Sequence, residues 1–345
     1  MNQNAAPMNS GRPASSKSKM SGGIIALIVG TSLVFLGIIA VVIIIAVSVF
    51  STTSSSGPSY TGTDGYIAVL HIEGTITSAA PASSLLSAPT TYDQKFLLST
   101  VESLIDDTDN KGIMLFIDTP GGEVYATDEL YLKLEEYKEA TGRPIYSYCA
   151  SMAASGGYYL AAASDKILMN RNCMTGSIGV TAGTYIDISG FLEKQGIKTT
   201  SIYVGKNKTM GSYFEGFTDE QKVIYTTILQ ETYDQFVQIV ADGRGMTVAA
   251  VETLADGRIY SPKQAVANGL VDEIVTYDAA KAGMLSDYGL TEETQYVDFE
   301  PTADLGLADI FGVLSNLNKS DLDSYLAHLD MPVNGPAYYY EGMGY

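Results

Sequence analysis

Short apolar runs alternate with longer stretches of helical period from about residue 66 onward. The predicted strands cover residues 67–72, 112–117, 144–149, 167–169, 197–204 and 271–275. The predicted helices cover residues 96–105, 126–140, 153–163, 218–242 and 248–256. Alternation of short apolar runs with helical stretches is typical of parallel strands joined by right-handed crossovers. The pattern therefore predicts an α/β domain, to which we assign residues 65–300.

A second pattern precedes this domain, because residues 24–50 carry no charged side chain. About 27 residues at about 1.5 Å each give about 40 Å of helix, enough to cross a bilayer core of about 30 Å. The alternative is a cleaved secretory signal, whose apolar region is usually only about 7–15 residues long. The run is about twice that length, so we predict a retained transmembrane anchor over residues 23–50.

The charges that flank this run predict its orientation. Arg12, Lys17 and Lys19 precede it, whereas no Lys or Arg occurs between Phe50 and Lys95. The positive-inside rule then places the N-terminus in the cytoplasm and the α/β domain outside the cell. The expected localisation is the cell membrane, with a single crossing.

The remaining segments have compositions unlike a folded core. Residues 1–22 read as a disordered cytoplasmic leader, and residues 51–64 read as a flexible linker rich in Ser, Thr and Gly. Residues 301–345 form a C-terminal extension, in which residues 304–329 are expected to hold one or two short helices. Its last part, residues 332–345, is rich in Tyr, Gly and Pro and resembles an extended peptide. We consider both a disordered end and a tail that lies in the protein's own binding groove.

The amino-acid composition argues against nucleic-acid binding and against a zinc site. The formal net charge is −19, from 39 acidic and 20 basic residues, and such a surface repels nucleic acid. Two cysteines, Cys149 and Cys173, and two histidines, His71 and His328, are too few and too scattered for a zinc site. We expect the cysteines to be buried thiols, with one disulfide left open, and His71 to be a half-exposed strand residue.

A candidate nucleophile lies where a predicted strand gives way to a stretch of small residues. Ser155 is followed by Gly156 and Gly157, which would let a substrate backbone approach closely. A serine at such a turn presents its hydroxyl at the mouth of the sheet, beside backbone N–H groups that can stabilise an oxyanion. The alternative is an ordinary helix N-cap serine.

The turn Asp118-Thr-Pro-Gly-Gly122 also follows a buried strand and precedes a helix. Two such turns at strand ends in one α/β sheet are where a ligand site is expected. An ordinary strand-to-helix turn is the alternative for this motif. Together the turns predict an oxyanion hole with one N–H from Gly121 or Gly122 and another from Gly156.

A serine nucleophile needs a base, and no histidine follows Ser155 within the predicted domain. Lysine is the established substitute, although it must be desolvated to lose its proton near neutral pH. Lys194 and Lys198 read as solvated residues at a helix end. Lys206 and Lys208 lie in a loop that follows the predicted strand 197–204, and Lys206 reads as a surface residue.

Four segments of this chain resemble the signal peptide peptidase A family of bacterial Ser-Lys proteases. They are Asp118–Gly122, Ala154–Tyr159, Thr175–Val180 and Gly257–Asp272. The first and last are shared with Clp protease and crotonase relatives, whereas the second, followed by the Gly205-Lys-Asn-Lys208 loop, is more specific. The resemblance covers about residues 65–280 together with the anchor.

The resemblance implies a crotonase/Clp-like fold, a parallel-strand sheet with flanking helices, present as a single copy. It implies Lys208 as the general base and Ser177 as the hydroxyl that orients the lysine amine. A one-residue shift in how this loop aligns with the family's pattern would make Lys206 the general base instead. It further implies a ring-shaped homo-oligomer, extended apolar peptides such as signal-peptide remnants as substrates, and no metal or organic cofactor.

Three functions are compared on this basis. The first is a membrane-anchored serine endopeptidase with a Ser-Lys dyad. The second is a Clp-like or crotonase-like hydrolase of another substrate class, but a Clp-type site needs a histidine after Ser155. The third is a non-catalytic membrane scaffold of the same fold. We further predict that Ser155 and Lys208, 53 positions apart, meet across a subunit boundary.

Overall fold

The structure is a computed structural model that describes residues 64–79 and 92–301 together with the backbone of residues 337–339. The leader 1–22, the anchor 23–50, nearly all of the linker 51–64 and the predicted helices within 304–329 lie outside the described residues. In the ranges 64–79 and 92–301, the structure holds no helix with the length and apolar character that a membrane crossing requires.

Strands and helices alternate along the described chain. The strands are β1 (Tyr66–Glu73), β2 (Asn110–Thr119), β3 (Gly121–Glu123), β4 (Ile145–Ala154), β5 (Lys166–Met169), β6 (Met174–Gly176), β7 (Ile259–Tyr260), β8 (Glu273–Ile274), β9 (Gln295–Phe299) and β10 (Ala337–Tyr339). The helices are α1 (Gln94–Asp106), α2 (Val124–Thr141), α3 (Gly156–Ala161), α4 (Ser189–Lys194), α5 (Asp219–Arg244), α6 (Val248–Glu252), α7 (Pro262–Ala267) and α8 (Tyr277–Asp287).

The main sheet has the strand order β7-β6-β4-β2-β1-β9, and β5 adds to β4 and carries β8. Its pairs are parallel except for β6 with β7. A separate small sheet pairs β3 with β10 in antiparallel fashion. The predicted α/β class with a largely parallel sheet and flanking helices is therefore confirmed.

Both faces of the central strands are covered, which explains why β1, β2 and β4 read as nearly continuous apolar runs. One face packs against α1, α2, α3 and α5, with side chains such as Leu97, Leu134, Tyr159 and Phe236 fully or almost fully buried. The other face packs against α8 through Ala280 and Met284. Because parallel strands buried on both faces form a rigid layer, the loops at their carboxyl ends are held in fixed positions.

Two predicted elements were wrong. The helix expected over residues 153–163 is shorter, because β4 continues to Ala154 and only residues 156–161 are helical. The strand expected over residues 197–204 does not form: Ile202 and Val204 are each 96% exposed, and no strand in the described ranges pairs with the run. Its apolar sequence is therefore not explained by the core of a single chain.

Candidate active site

The carboxyl ends of β2, β4 and β6 lie side by side and carry the predicted site. Ala153 of β4 is opposite Thr119 of β2 on one side and Thr175 of β6 on the other. Ligand sites in α/β proteins form outside the carboxyl ends of parallel strands. The three segments singled out in the sequence, 118–122, 154–159 and 175–180, thus meet at one edge of the sheet.

A bulge in β4 sets the position of the residues before Ser155. Ile117 pairs with Cys149 and Thr119 pairs with Ala153, so β4 carries two more residues than β2 over this interval. The Asp118 carboxylate accepts hydrogen bonds from Ser151 Oγ and from the Met152 N–H at 3.1 Å. Asp118 therefore accepts hydrogen bonds from one backbone donor and one side-chain donor within the bulge.

Ser155 has a strained backbone, with φ 53° and ψ −116°. Such a conformation is sparsely populated for a residue with a side chain and costs on the order of 1–3 kcal/mol. The Ser155 N–H donates to Gly176 O at 2.8 Å, which helps to hold the turn between β4 and α3. A strained strand-to-helix turn that carries a serine is also the arrangement of the nucleophile elbow in α/β-hydrolases.

The Ser155 hydroxyl is buried and has no hydrogen-bond partner among the described residues. Ser155 stands at the N-cap position of α3, yet its side chain makes no capping hydrogen bond, so the N-cap interpretation fails. Its Oγ is the one buried side-chain oxygen or nitrogen without a partner in the described ranges. Because an unpaired buried polar atom costs free energy, its presence requires an explanation such as a catalytic role.

Ser177 lies on the neighbouring strand end and shares this strain. Gly176 pairs with Ala154, which puts Ser177 next to Ser155 in the lateral direction of the sheet. Ser177 has φ 49°, and its N–H donates to Arg258 O at 2.7 Å. Among the described non-glycine residues, only Ser155 and Ser177 have positive φ values. No hydrogen bond joins the two hydroxyls, since Ser155 Oγ has no partner in the described chain.

The glycine turn forms strand β3, which is held along one edge by residue 76. The Ile76 N–H donates to Gly121 O, and the Glu123 N–H donates to Ile76 O, each at 2.9 Å. A Cβ atom on Gly122 would lie 1.9 Å from Ile76 O, so this position admits no side chain in its present geometry. Because backbone groups alternate in direction along a strand, the N–H and C=O of Gly122 point to the opposite edge.

That opposite edge is occupied by the C-terminal tail. Strand β10 runs antiparallel to β3, with Tyr338 opposite Gly122 and Tyr339 opposite Gly121. The tail backbone therefore extends beside the predicted oxyanion turn, as an extended peptide does when it adds a strand to an exposed edge. This pairing agrees with the hypothesis that the tail lies in the protein's own groove.

Glycines also permit the start of α3 to approach the turn. A Cβ on Gly156 would lie 2.8 Å from Thr127 Oγ1 and 3.3 Å from the Cα atom of Gly121. Gly156 is therefore adjacent to the glycine turn, as the predicted oxyanion hole requires. Helix α3 has only six residues, so the Gly156 N–H itself, rather than a helix dipole, is the relevant donor.

Among the described residues, Lys208 forms no hydrogen bond with Ser155. Lys208 is exposed, its N–H donates to Gly205 O at 3.0 Å, and its amine makes no hydrogen bond to Ser155 Oγ. Lys206 is also exposed and forms an ion pair with Glu220, as expected for a surface residue. The described residues therefore bring the segments of Ser155, Ser177 and the glycines together, whereas Lys208 is exposed and forms no hydrogen bond with Ser155.

Lys208 belongs to a long stretch with little packing of its own, residues 181–218, which we term the exposed segment. None of its residues is buried, and helix α4 within it has no buried side chain. Large apolar side chains on it remain in solvent, including Ile186, Phe191, Ile202, Val204 and Tyr213. Exposed apolar surface on this scale is typical of protein interfaces.

The two cysteines and His71 have structural environments that do not suggest a catalytic role. Cys149 and Cys173 are free and buried, as expected, and burial raises the pKa of Cys173 to about 12. A thiol with such a pKa stays protonated at neutral pH and is a poor nucleophile. The half-exposed His71 contacts Asp298 at 2.9 Å and Glu73 at 3.3 Å, and it forms no hydrogen bond with Ser155 Oγ.

Sequence reasoning missed two residues that shape the site. Thr119 is fully buried, and its Oγ1 accepts the Gly121 N–H at 3.0 Å while donating to Gly74 O. Glu123 accepts hydrogen bonds from Ser78 N–H at 2.8 Å, Ser78 Oγ at 2.7 Å and Thr77 Oγ1 at 3.0 Å. A hydroxyl residue directly before Pro-Gly-Gly was the available signal for Thr119, whereas the sequence gives no comparable signal for Glu123.

The fold and site thus define an α/β protein with a strained candidate nucleophilic serine beside a glycine turn. Residues 137–291 match the sequence profile of peptidase family S49, a range that includes Ser155, Ser177 and Lys208. A putative signal peptide peptidase SppA of Enterococcus faecium is 36% identical over 228 residues, which are 66% of this chain and 65% of that protein.

Two further relatives extend the comparison. A putative protease of Synechocystis is 30% identical over 70% of this chain and 81% of its own length. The capsid assembly protease C of phage lambda is 30% identical over 69% of this chain and 55% of that protein. The chain therefore belongs to peptidase family S49, the family of signal peptide peptidase A. It spans slightly less than two thirds of the Enterococcus relative.

Proposed function

We propose that this protein is a serine endopeptidase that cleaves extended apolar peptides, such as signal-peptide remnants, with a Ser155–Lys208 dyad. The observation that carries the proposal is the strained backbone of Ser155 together with its buried, unpaired hydroxyl. Backbone strain and an unsatisfied buried polar atom both lower the stability of the folded chain. Both are expected of a serine that is positioned to act as a nucleophile.

In the proposed reaction, Ser155 Oγ attacks the peptide carbonyl carbon while its proton passes to the neutral amine of Lys208. The carbonyl oxygen becomes an oxyanion that accepts N–H bonds from the glycine turn and from Gly156. The protonated lysine then donates its proton to the leaving amine, and an acyl ester remains on Ser155. Water, deprotonated by the same lysine, hydrolyses this ester and returns the enzyme to its starting state.

Lys208 would reach this site from a neighbouring subunit. Its exposure, and the apolar side chains of the exposed segment, support contact with a second copy of the chain. Such a contact would also remove water from the lysine, which a lysine base requires. Repeated head-to-tail contacts give a ring when the rotation between neighbouring subunits closes, and a ring is the assembly we propose. Ser177, adjacent to Ser155, would orient the incoming amine.

The nucleophile is tested by cleavage of a fluorogenic apolar peptide. Ser155→Ala should abolish turnover, whereas Ser99→Ala should retain it, because the exposed Ser99 hydroxyl only bonds Phe96 O on helix α1. Thermal unfolding checks that both variants are folded. Equal turnover in Ser155→Ala and in the unaltered protein would assign the nucleophile to another residue, and no turnover in either protein would leave the scaffold interpretation standing.

Lys206 offers a matched control for the base, since it lies two positions from Lys208 and is exposed in the same turn. Lys208→Ala should lower turnover about as far as Ser155→Ala, because members of one catalytic unit are not additive. Lys206→Ala should retain most activity, and Ser177→Ala should show a smaller loss. The opposite order of the two lysine variants would assign the base to Lys206.

The subunit boundary is tested by mixing inactive variants. Ser155→Ala and Lys208→Ala chains, refolded together, should regain part of the activity if each site takes its serine and lysine from different chains. The control is the same mixture of Ser155→Ala with a Ser155→Ala/Lys208→Ala double variant, which should stay inactive. Confirmed subunit exchange without any activity would place the dyad within one chain.

The proposed location is the outer face of the cell membrane, with residues 23–50 as a single anchor. This rests on the uncharged run and on the basic residues that precede it. Substrates left in the membrane after export would then lie close to the peptidase domain. No metal or organic cofactor enters the proposed reaction, because serine, lysine and backbone N–H groups perform each of its steps.

A further inference from the structure

Thr119 joins three parts of the site through one side chain. Its Oγ1 donates to Gly74 O at the end of β1 and accepts the Gly121 N–H at 3.0 Å in the oxyanion turn. Its methyl group faces the start of α3, because a Cβ on Gly157 would lie 2.6 Å from Thr119 Cγ2. The side chain is fully buried, so these contacts fix its rotamer.

The hydrogen bond to Thr119 decides which backbone donors the turn offers. The Gly121 N–H is directed into the protein, where Thr119 Oγ1 accepts it. The Gly121 C=O is also engaged, by the Ile76 N–H at 2.9 Å. The N–H of Gly122 points to the edge at which Tyr338 of the tail pairs. Of the two glycines, Gly122 is thus the one with its N–H on the peptide-binding side.

We propose that Thr119 is a positioning residue that selects the Gly122 N–H as the turn's oxyanion donor and holds it in register with Ser155. The Thr119 hydroxyl accepts a hydrogen bond from the Gly121 N–H and donates one to Gly74 O. These two bonds link the turn to the end of β1. The inference rests on the proposed peptidase function. Thr119 touches no substrate itself and acts through the backbone of the turn.

Three substitutions at Thr119 separate the hydroxyl from the methyl group. Thr119→Val keeps the shape but removes the hydroxyl, and Thr119→Ser keeps the hydroxyl but removes the methyl. Thr119→Ala removes both, so that the Ser and Ala variants differ only in the hydroxyl. The Ser–Ala comparison carries the test if Thr119→Val fails to fold.

The measurements are kcat and KM for a fluorogenic peptide, and the affinities for a peptide aldehyde and its matched peptide alcohol. The aldehyde forms an oxyanion on Ser155, whereas the alcohol reports ordinary peptide binding. Without the hydroxyl, kcat and aldehyde affinity should both fall about 10- to 100-fold, somewhat less than for complete loss of an oxyanion donor. Alcohol affinity should stay within about twofold, and Thr119→Ser should stay within about threefold of the unaltered enzyme in every measurement.

A purely structural role would weaken aldehyde and alcohol binding together, and that result would overturn the inference. Equal losses in Thr119→Ser and Thr119→Ala would also overturn it, since the methyl group rather than the hydroxyl would then matter. Turnover that survives Ser155→Ala is a different result, because it would refute the proposed nucleophile. The two failures are therefore distinguishable within one set of variants.

Discussion

Gly157→Ala tests whether close packing between α3 and the glycine turn positions Ser155. The added Cβ would lie 2.6 Å from Thr119 Cγ2, whereas carbon atoms in contact are normally about 3.5–4.0 Å apart. The overlap is therefore about 1 Å. Thr119 is held by two hydrogen bonds and cannot rotate away without breaking them. The start of α3, directly after Ser155, must move instead.

Overpacking of this kind costs about 1–3 kcal/mol of folding free energy. A displacement of about 1 Å at a reacting group can lower kcat about 100-fold. Thr119→Ser removes the obstructing methyl and keeps the hydroxyl, so that the nearest remaining atoms are Thr119 O at 3.3 Å and Ile117 Cγ2 at 3.5 Å. The double variant Gly157→Ala/Thr119→Ser should therefore recover most of the lost activity and stability.

The assay is a double-mutant cycle with peptide turnover and denaturant unfolding as its two measurements. We expect a coupling free energy of about 1–3 kcal/mol between the two positions in the unfolding measurement. Gly283→Ala in α8 is the matched control, because a Cβ there meets no atom within 4 Å. Additive effects, with the double variant no more active than Gly157→Ala, would refute the packing argument.

Three further predictions concern the surroundings of the site. Burial would raise the pKa of Glu123, but hydrogen bonds from Ser78 and Thr77 outweigh it and lower that pKa. The carboxylate's contribution to stability is thus present above the unfolded pKa of about 4.3 and is lost as pH falls below it. Melting temperatures of Glu123→Gln and the unaltered protein should differ at pH 7 and converge below about pH 4, and a constant gap would contradict this. Mass spectrometry should show the tail 332–345 trimmed in the unaltered protein and intact in Ser155→Ala. Protease shaving of intact cells should remove the domain from Tyr66 onward, and protection until lysis would refute the topology.

The sequence predicted the strands best where burial on both faces made the apolar runs continuous. The run 112–117 lies within β2, and the helix predicted over 126–140 lies within α2. Ala153 and Ala154 were misassigned to a helix, because alanine favours helix while their pairing with β6 keeps them extended. Local preference was overridden there by a partner strand that is distant in sequence.

The predicted strand 197–204 failed for a different reason. An apolar run indicates side chains that are favourably buried, but it does not indicate whether the same chain or another chain buries them. Here Ile202 and Val204 remain exposed in the single chain, in keeping with the proposed contact to a second copy. The same limit applies to Lys208, whose partner cannot be deduced from spacing along one sequence.

Sequence motifs identified the candidate serines of the site but not their backbone conformation or the role of Thr119. Ser155 and Ser177 were identified by their neighbours in sequence, and the structure places them on adjacent strand ends. Their positive φ values depend on how β4 and β6 end, so they could not be read from residue types. Thr119 was missed because its role arises from Gly74 and Gly157, which come near it only in the folded chain.

The most direct test of the central claim is to locate the adduct of a fluorophosphonate probe by peptide mass spectrometry. The proposed mechanism predicts one modified residue, Ser155, with labelling abolished in Ser155→Ala. Labelling should be strongly reduced in Lys208→Ala and retained in Lys206→Ala, since only the first variant loses the base. An adduct on another residue, or labelling of Ser155 that proceeds equally fast without Lys208, would contradict the Ser155–Lys208 dyad.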